Sequence, residues 1–153
     1  MAQITNDKAL KAALKALPSN ALRYVTSLFV ENLITEQTDQ RVVSAVVLAK
    51  NPNMSTNEQL SAFKACRAAT IESRTQCGAD CNWNEQAAHF IARASAAMIA
   101  PAGMCQAADP IWQVVMSCRM AKNCLLIAAD DDAVNQENEV QYQIFEAYRR
   151  TNS

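Results

Sequence analysis

The sequence predicts an all-α fold, a single-domain antiparallel bundle of about seven helices with a central helix near residues 110–129. Only two glycines and four prolines occur in 153 residues, too few for the many special turns of a sandwich or barrel. Alanine, the best helix former, recurs at helical spacing. The composition is 50% hydrophobic and 19% charged, which excludes a disordered chain and supplies one core. We therefore interpret residues 1–153 as one helical domain.

The first three helices are predicted from apolar periodicity and from residues that begin or end helices. One face of a helix over residues 7–17 is apolar, and Pro18 ends it. An apolar stripe over residues 22–33 predicts the second helix. The β-branched residues at 41–50, RVVSAVVLAK, are also typical of a strand. Since a lone strand has no partner, we interpret this segment as a helix and keep the strand as the alternative.

The fourth and fifth helices are predicted from capping signals after the break at Asn51-Pro52-Asn53. Ser55 with Glu58 three residues later forms a capping box, so a helix should run from about 56 to 75. Asn82 with Glu85 opens the fifth helix. Its apolar face then continues to Met98, which predicts a second long Ala-rich helix beside the first.

The segment 110–129, PIWQVVMSCRMAKNCLLIAA, is apolar almost all round, which predicts a helix buried on several sides. Met116 and Met120 are interpreted as part of the core. Asp109 as cap and Pro110 at the first position predict its start. Charged and polar residues near its middle argue against a membrane span. The acidic residues 130–132 are predicted to begin a last helix over 133–150, because carboxylates favour helix N-termini.

Charge and cysteine content restrict the environment and the partners. The formal net charge is −1, so neither a nucleic-acid footprint nor a basic membrane-binding patch is predicted. Lysines interrupt residues 1–17, where an apolar leader would have to lie. We interpret the chain as cytoplasmic, with its six cysteines mostly as reduced thiols.

The single histidine, His89, is the first candidate site residue. One histidine cannot build a multi-histidine zinc site. On a helix, Glu85 and Arg93 lie one turn away on either side, so Glu85 would stabilise an imidazolium and Arg93 would oppose it. The readings left open are a solvent-facing polar stripe, which is favoured, a partner-binding stripe of Glu85, His89 and Arg93, and a catalytic or metal site.

Cys77 and Cys81 form the one close cysteine pair of the sequence. They could share a zinc ion with Asp80 or His89, or oxidise to a small-loop disulfide. A structural zinc site usually has a second pair, which this sequence lacks. Ordinary loop thiols are therefore favoured over a metal or redox site, and no cofactor is predicted.

Lys122 is the last candidate, because it interrupts the apolar face of the central helix. It could extend along neighbouring side chains to water, or pair with a carboxylate such as Glu31 or Glu146. A catalytic lysine with a lowered pKa is the less favoured alternative. We treat Lys122 as a candidate binding residue.

Residues 38–100 resemble the small Ala-rich helical immunity proteins of bacterial polymorphic-toxin systems. The resemblance rests on TDQRVVSAVVLAK, STNEQLSAFKACRAAT and NEQAAHFIARASAAMIA. It includes an Asp-x-Arg helix start, here Asp39 and Arg41, followed by two Ala-rich helices. The resemblance covers under half of the chain. It implies a protein that neutralises a toxin by binding it, with no chemistry of its own.

The expected function is a non-enzymatic helical module that binds another protein or itself, and the resemblance implies that the bound protein is a toxin. The alternative is a small-molecule-binding or thiol-dependent helical domain, redox or metal, with a pocket between helices. A contiguous exposed apolar or charged patch would favour the first. A cavity that reaches the thiols, His89 or Lys122 would favour the second.

Overall fold

The computed structural model describes residues 3–76 and 82–152. Within these ranges the chain forms seven helices and no strand, which confirms the all-α prediction. Residues 41–49 belong to a helix and residue 50 caps its end, so the strand alternative for 41–50 is wrong. The helices are α1 Asp7–Lys15, α2 Ser19–Glu31, α3 Gln40–Ala49, α4 Thr56–Gln76, α5 Trp83–Ile99, α6 Pro110–Ala128 and α7 Glu137–Thr151.

Short-range capping bonds fix most of the helix starts. Asn82 Oδ1 accepts from the Glu85 N–H at 2.8 Å, and Asp109 Oδ1 accepts from the Trp112 N–H at 3.1 Å. In the predicted capping box, the Glu58 N–H donates to Ser55 Oγ at 3.0 Å while the Ser55 N–H donates to Glu58 Oε1 at 2.9 Å. Such bonds satisfy N–H groups that have no partner within the helix.

The last helix begins later than predicted, at Glu137 rather than 133. Asp130 has a φ of 53°, a left-handed conformation that does not start a helix. The residue that organises the start of α7 is Asn135. Its Oδ1 accepts from the Glu137 N–H at 3.0 Å, and its Nδ2 donates to the Arg119 carbonyl at 3.0 Å. The acidic residues 130–132 therefore lie in the loop before α7.

One hydrophobic cluster runs through the bundle and draws on residues from Ile4 to Phe145. At its centre α5 packs against α2, α3, α4 and α6, while α6 packs against α5, α2 and α7. Because the neighbours of α6 cover only part of its surface, Met116, Met120 and Ile127 remain exposed. Assigning Met116 and Met120 to the core was therefore wrong.

The first described residues are attached to the last helix. The Ile4 N–H donates to Glu146 Oε1 at 2.8 Å, and the Tyr142 hydroxyl donates to Asp7 Oδ1 at 2.6 Å. Arg119 of α6 donates to the same Asp7 carboxylate, with Nη2 at 2.7 Å from Oδ1. We call Asp7, Arg119, Gln141 and Tyr142 the α1–α6–α7 clasp.

Two adjacent valines of α3 provide a matched test of its helical geometry. Val46 is 2% exposed and Val47 is 66% exposed. We expect Val46→Ala to lower the free energy of unfolding by about 1–2 kcal/mol, since it removes buried methyl groups. Val47→Ala should raise it by about 0.5 kcal/mol, because alanine is the better helix former. Urea denaturation of both variants measures this, and equal losses would contradict the assigned face of α3.

No helix in the described ranges is both long and apolar enough to cross a membrane.

Candidate functional site

A groove of about 870 Å³ runs beside α4 and α5 and is lined by side chains from both helices. From α4 it receives Arg67, Ile71 and Arg74, which follow one another at four and three residues and so share one helix face. From α5 it receives His89 and Arg93, one turn apart. The loop around Met104 and Cys105 and Gln113 of α6 contribute further lining. We call this the basic groove.

Among the described residues, the three arginines of the basic groove have no ion pair of the kind that other arginines of this protein make. Arg41 binds Asp39 and Glu72, Arg119 binds Asp7, and Arg149 binds Glu146. Within residues 3–76 and 82–152 no carboxylate lies within ion-pair distance of Arg67, Arg74 or Arg93, and the groove lining contains no acidic side chain. The groove is therefore a local concentration of positive charge in a chain of formal net charge −1.

His89 is half-buried and attaches α5 to α4. Its Nδ1 lies 3.0 Å from Ser73 Oγ, and the Ser73 hydroxyl donates to the Thr70 carbonyl at 2.9 Å. While the Ser73 hydroxyl donates its one hydrogen to the Thr70 carbonyl, Oγ is left to accept from Nδ1. A nucleophilic serine needs the opposite arrangement, in which the imidazole accepts the serine proton. In this arrangement the Ser73–His89 pair is a contact between two helices.

The environment of His89 favours its neutral form. Burial lowers the pKa of His89 below its ordinary value, and the neighbouring charges of Arg93 and Arg74 lower it further, against an opposing hydrogen bond to the Thr70 backbone. The predicted effect of Arg93, which disfavours the charged imidazolium form of His89, is therefore present. Glu85 and Arg93 of the predicted polar stripe are exposed, whereas His89 is half-buried with its ring against Ser73 of the preceding helix.

The titration of His89 can be followed without interference, because it is the only histidine of the sequence. We expect its imidazole pKa, measured by NMR, to lie below that of a histidine in a short peptide. Arg93→Gln should raise it, since the substitution removes a positive charge. Lys64→Gln on the same pair of helices is the control and should leave it unchanged. An unshifted pKa in Arg93→Gln would show that this arginine does not act on the ring.

Glu85 does not join His89 at the basic groove. Its backbone N–H and its side chain both bond to Asn82 at the start of α5, the latter with Asn82 Nδ2 donating to Oε1 at 3.2 Å. Glu85 lines a second groove, of about 740 Å³, together with residues such as Thr38 and Asp39. The structure therefore brings together His89 and Arg93 of the predicted stripe and separates Glu85 from them.

Lys122 is half-buried, and the carboxylate whose titration it affects is Glu137. Burial raises the pKa of the Glu137 carboxyl, while Asn32 and then Lys122 act to lower it. The two carboxylates proposed as partners of Lys122 are engaged elsewhere, since Glu31 pairs with Lys50 and Glu146 with Arg149. Lys122 does not line either of the two grooves described above.

Cys77 and Cys81, the predicted metal or redox pair, lie outside the described residues. Within the described part of the chain, no group of three or more histidine, cysteine or acidic side chains is arranged to hold a metal ion. Cys66, Cys118 and Cys124 are buried free thiols, and burial raises the pKa of all three. Such thiols are unreactive at neutral pH. Cys105 is half-buried and lines the basic groove.

Comparison of the chain with protein-family models, curated proteins and solved structures finds no match.

Proposed function

We propose that this protein is a non-enzymatic binding module whose basic groove receives a negatively charged surface of another protein. The observation that carries the proposal is the set of unpaired arginines: within the described ranges, Arg67, Arg74 and Arg93 line one groove without a carboxylate. Arginine binds carboxylates in a bidentate manner and is enriched at protein interfaces. A partner that supplies carboxylates would complete the ion pairs that this groove lacks.

The local positive charge also determines where on this protein an acidic partner binds. The chain as a whole carries a formal charge of −1, so an acidic partner is attracted to the groove and not to the rest of the surface. If the resemblance to immunity proteins reflects a common function, the partner is a toxin with an acidic surface. A second copy of this chain is the other candidate, because Glu36, Asp39 and Glu85 line the second groove.

The proposal is tested by affinity capture from the native host with three forms of the protein. The test variant combines Arg67→Gln, Arg74→Gln and Arg93→Gln. The control combines Lys8→Gln, Lys11→Gln and Lys15→Gln, which removes the same charge from exposed positions on α1. We expect a partner that the wild type and control retain at low salt and that the test variant loses by at least about 10-fold, as for removal of interfacial charge pairs.

Two further measurements make that result decisive. Sedimentation analysis shows whether the partner is a second copy of the chain. The affinity for the purified partner should fall with added salt, because the contacts at an open groove are screened. If the arginine variant captures the same proteins as the control with equal affinity, the basic groove is not the binding site.

A small anionic molecule is the alternative occupant, since a volume of about 870 Å³ lies within the size range of ligand pockets. Calorimetry with tripolyphosphate and with citrate tests it. Tight binding of either that the arginine variant abolishes would favour this alternative.

A further inference from the structure

Exposed apolar side chains lie among the arginines of the basic groove. Ile71 is 57% exposed and Met104 is 42% exposed, although both line the groove. Ile71 stands on the same face of α4 as Arg67 and Arg74, one turn from each. Arginine, methionine and aliphatic side chains around one concave surface are typical of the centre of a protein interface.

These apolar residues distinguish between kinds of anionic occupant. A phosphate or a small carboxylate would pair with the arginines and leave Ile71 and Met104 in contact with water. A protein segment can place carboxylates on the arginines and an apolar side chain on Ile71 and Met104 at the same time. Burying one such side chain strengthens binding by roughly 10- to 100-fold. A protein segment therefore contacts both the arginines and the apolar residues of the groove, whereas a small anion contacts the arginines alone.

We propose that the occupant of the basic groove is a short acidic protein segment that places an apolar side chain against Ile71 and Met104 while its carboxylates pair with Arg67, Arg74 and Arg93. This inference rests on the function proposed above and specifies the chemistry of the partner. It requires an occupant in which acidic residues flank an apolar one.

The spacing of the arginines on α4 indicates the pattern of that segment. Arg67 and Arg74 are seven residues apart, which corresponds to a rise of roughly 10 Å along the helix. An extended chain covers that distance in about three residues. Because alternate side chains of an extended chain face the same way, an extended occupant should carry an acidic residue, an apolar residue two positions later and a second acidic residue two positions after that. A helical occupant should carry its acidic residues about seven positions apart.

Selection from a random peptide library tests the inference without knowledge of the partner. Displayed peptides of about 12 residues, long enough to span roughly 40 Å when extended, are selected on the wild-type protein. They are counter-selected on the Arg67→Gln, Arg74→Gln, Arg93→Gln variant. We expect enriched peptides in which acidic residues flank an aliphatic or aromatic residue. Their affinity should fall at least about 10-fold in Ile71→Ala, the loss of one buried apolar contact.

Matched variants separate binding from folding. Ile71→Ala and its control Ile127→Ala both truncate an exposed isoleucine, on α4 and α6 respectively, and thermal melts establish that both variants fold. Ile127→Ala should bind the selected peptides as tightly as the wild type. Lys15→Gln, which removes an exposed charge from α1, should do the same.

The outcomes distinguish this inference from the function on which it rests. Acidic peptides without an apolar residue, or peptides whose affinity is unchanged in Ile71→Ala, would overturn the apolar contact and leave an anion-binding groove. Tripolyphosphate that binds as tightly as the selected peptides would have the same meaning. Selected peptides without acidic enrichment would overturn both proposals. If no peptide can be selected while a partner is still captured through the three arginines, the short segment is overturned and the function proposed above stands.

Discussion

Replacing Arg119 with alanine is expected to lower the free energy of unfolding by about 3 kcal/mol, the cost of removing a largely buried arginine that bonds to a carboxylate and to a buried amide. The Arg119 side chain is 14% exposed. Its Nη1 and Nη2 donate to the Asp7 carboxylate at 2.9 and 2.7 Å, and its Nε donates to Gln141 Oε1 at 2.8 Å. Gln141 is fully buried, so its carbonyl oxygen would be left without this donor. The alanine variant therefore loses the hydrogen bonds that connect α6 to Asp7 of α1 and to Gln141 of α7.

Arg41→Ala is the matched control, because Arg41 also binds two acidic residues, Asp39 at 2.8 Å and Glu72 at 2.7 Å. The Arg41 side chain is 34% exposed, against 14% for Arg119, and ion pairs of an exposed arginine stabilise proteins by less than about 1 kcal/mol. Guanidinium denaturation of both variants gives their free energies of unfolding and the dependence of those free energies on denaturant concentration. Equal losses would show that the clasp does not contribute more than a surface ion pair.

The clasp also predicts how the Arg119→Ala effect depends on pH. The hydrogen bonds from Arg119 lower the pKa of the Asp7 carboxyl, with a further contribution from Tyr142, against the opposing effect of burial. A lowered carboxyl pKa provides stability above the ordinary pKa of an aspartate, and this stability is lost as pH falls through the folded-state value. The difference in the free energy of unfolding between wild type and Arg119→Ala should therefore become smaller at acidic pH. A constant difference would mean that the charge of Asp7 does not contribute.

Phe29→Ala is expected to have the larger effect, a loss of about 3–5 kcal/mol in the free energy of unfolding. Phe29 is fully buried on α2, which packs against α3, α5, α6 and α7. A cavity at this position removes contacts with several helices at once, and close-packed interiors relax only partly around such a void. The measurement is chemical denaturation, with the thermal midpoint as a second readout.

Ile127→Ala on the exposed face of α6 is the comparison for Phe29→Ala and should cost less than about 1 kcal/mol. A small loss in Phe29→Ala, with an unchanged denaturant slope, would contradict the position of α2 at the meeting point of four helices. A reduced slope would instead indicate a change in the compactness of the unfolded or native state.

The helices and most of their first residues could be predicted because the signals are local. Asn82 and Asp109 bond to N–H groups three residues ahead, so the sequence contains both donor and acceptor. The start of α7 could not be predicted in this way. Asn135 is held by the carbonyl of Arg119 on another helix, and this contact exists only after the bundle has formed.

The candidate site was only partly predictable for the same physical reason. The spacing of His89 and Arg93 placed them one turn apart, and the structure retains that proximity. Glu85 has the same spacing from His89, but its side chain turns back to Asn82. The spacing of Arg67, Ile71 and Arg74 was visible in the sequence. Their lack of carboxylate partners depends on where the acidic side chains of the other helices point, which periodicity does not report.

The contacts of the α1–α6–α7 clasp also have a kinetic consequence. The hydrogen bond between Tyr142 and Asp7 joins residues 135 positions apart, and that between Ile4 and Glu146 joins residues 142 positions apart. Closing so long a loop costs chain entropy before any contact compensates for it. We expect α1 to dock late in folding and to detach first from the native state. In hydrogen exchange, the amides of α1 should therefore open at a lower free energy than those of α5, which is surrounded by four helices.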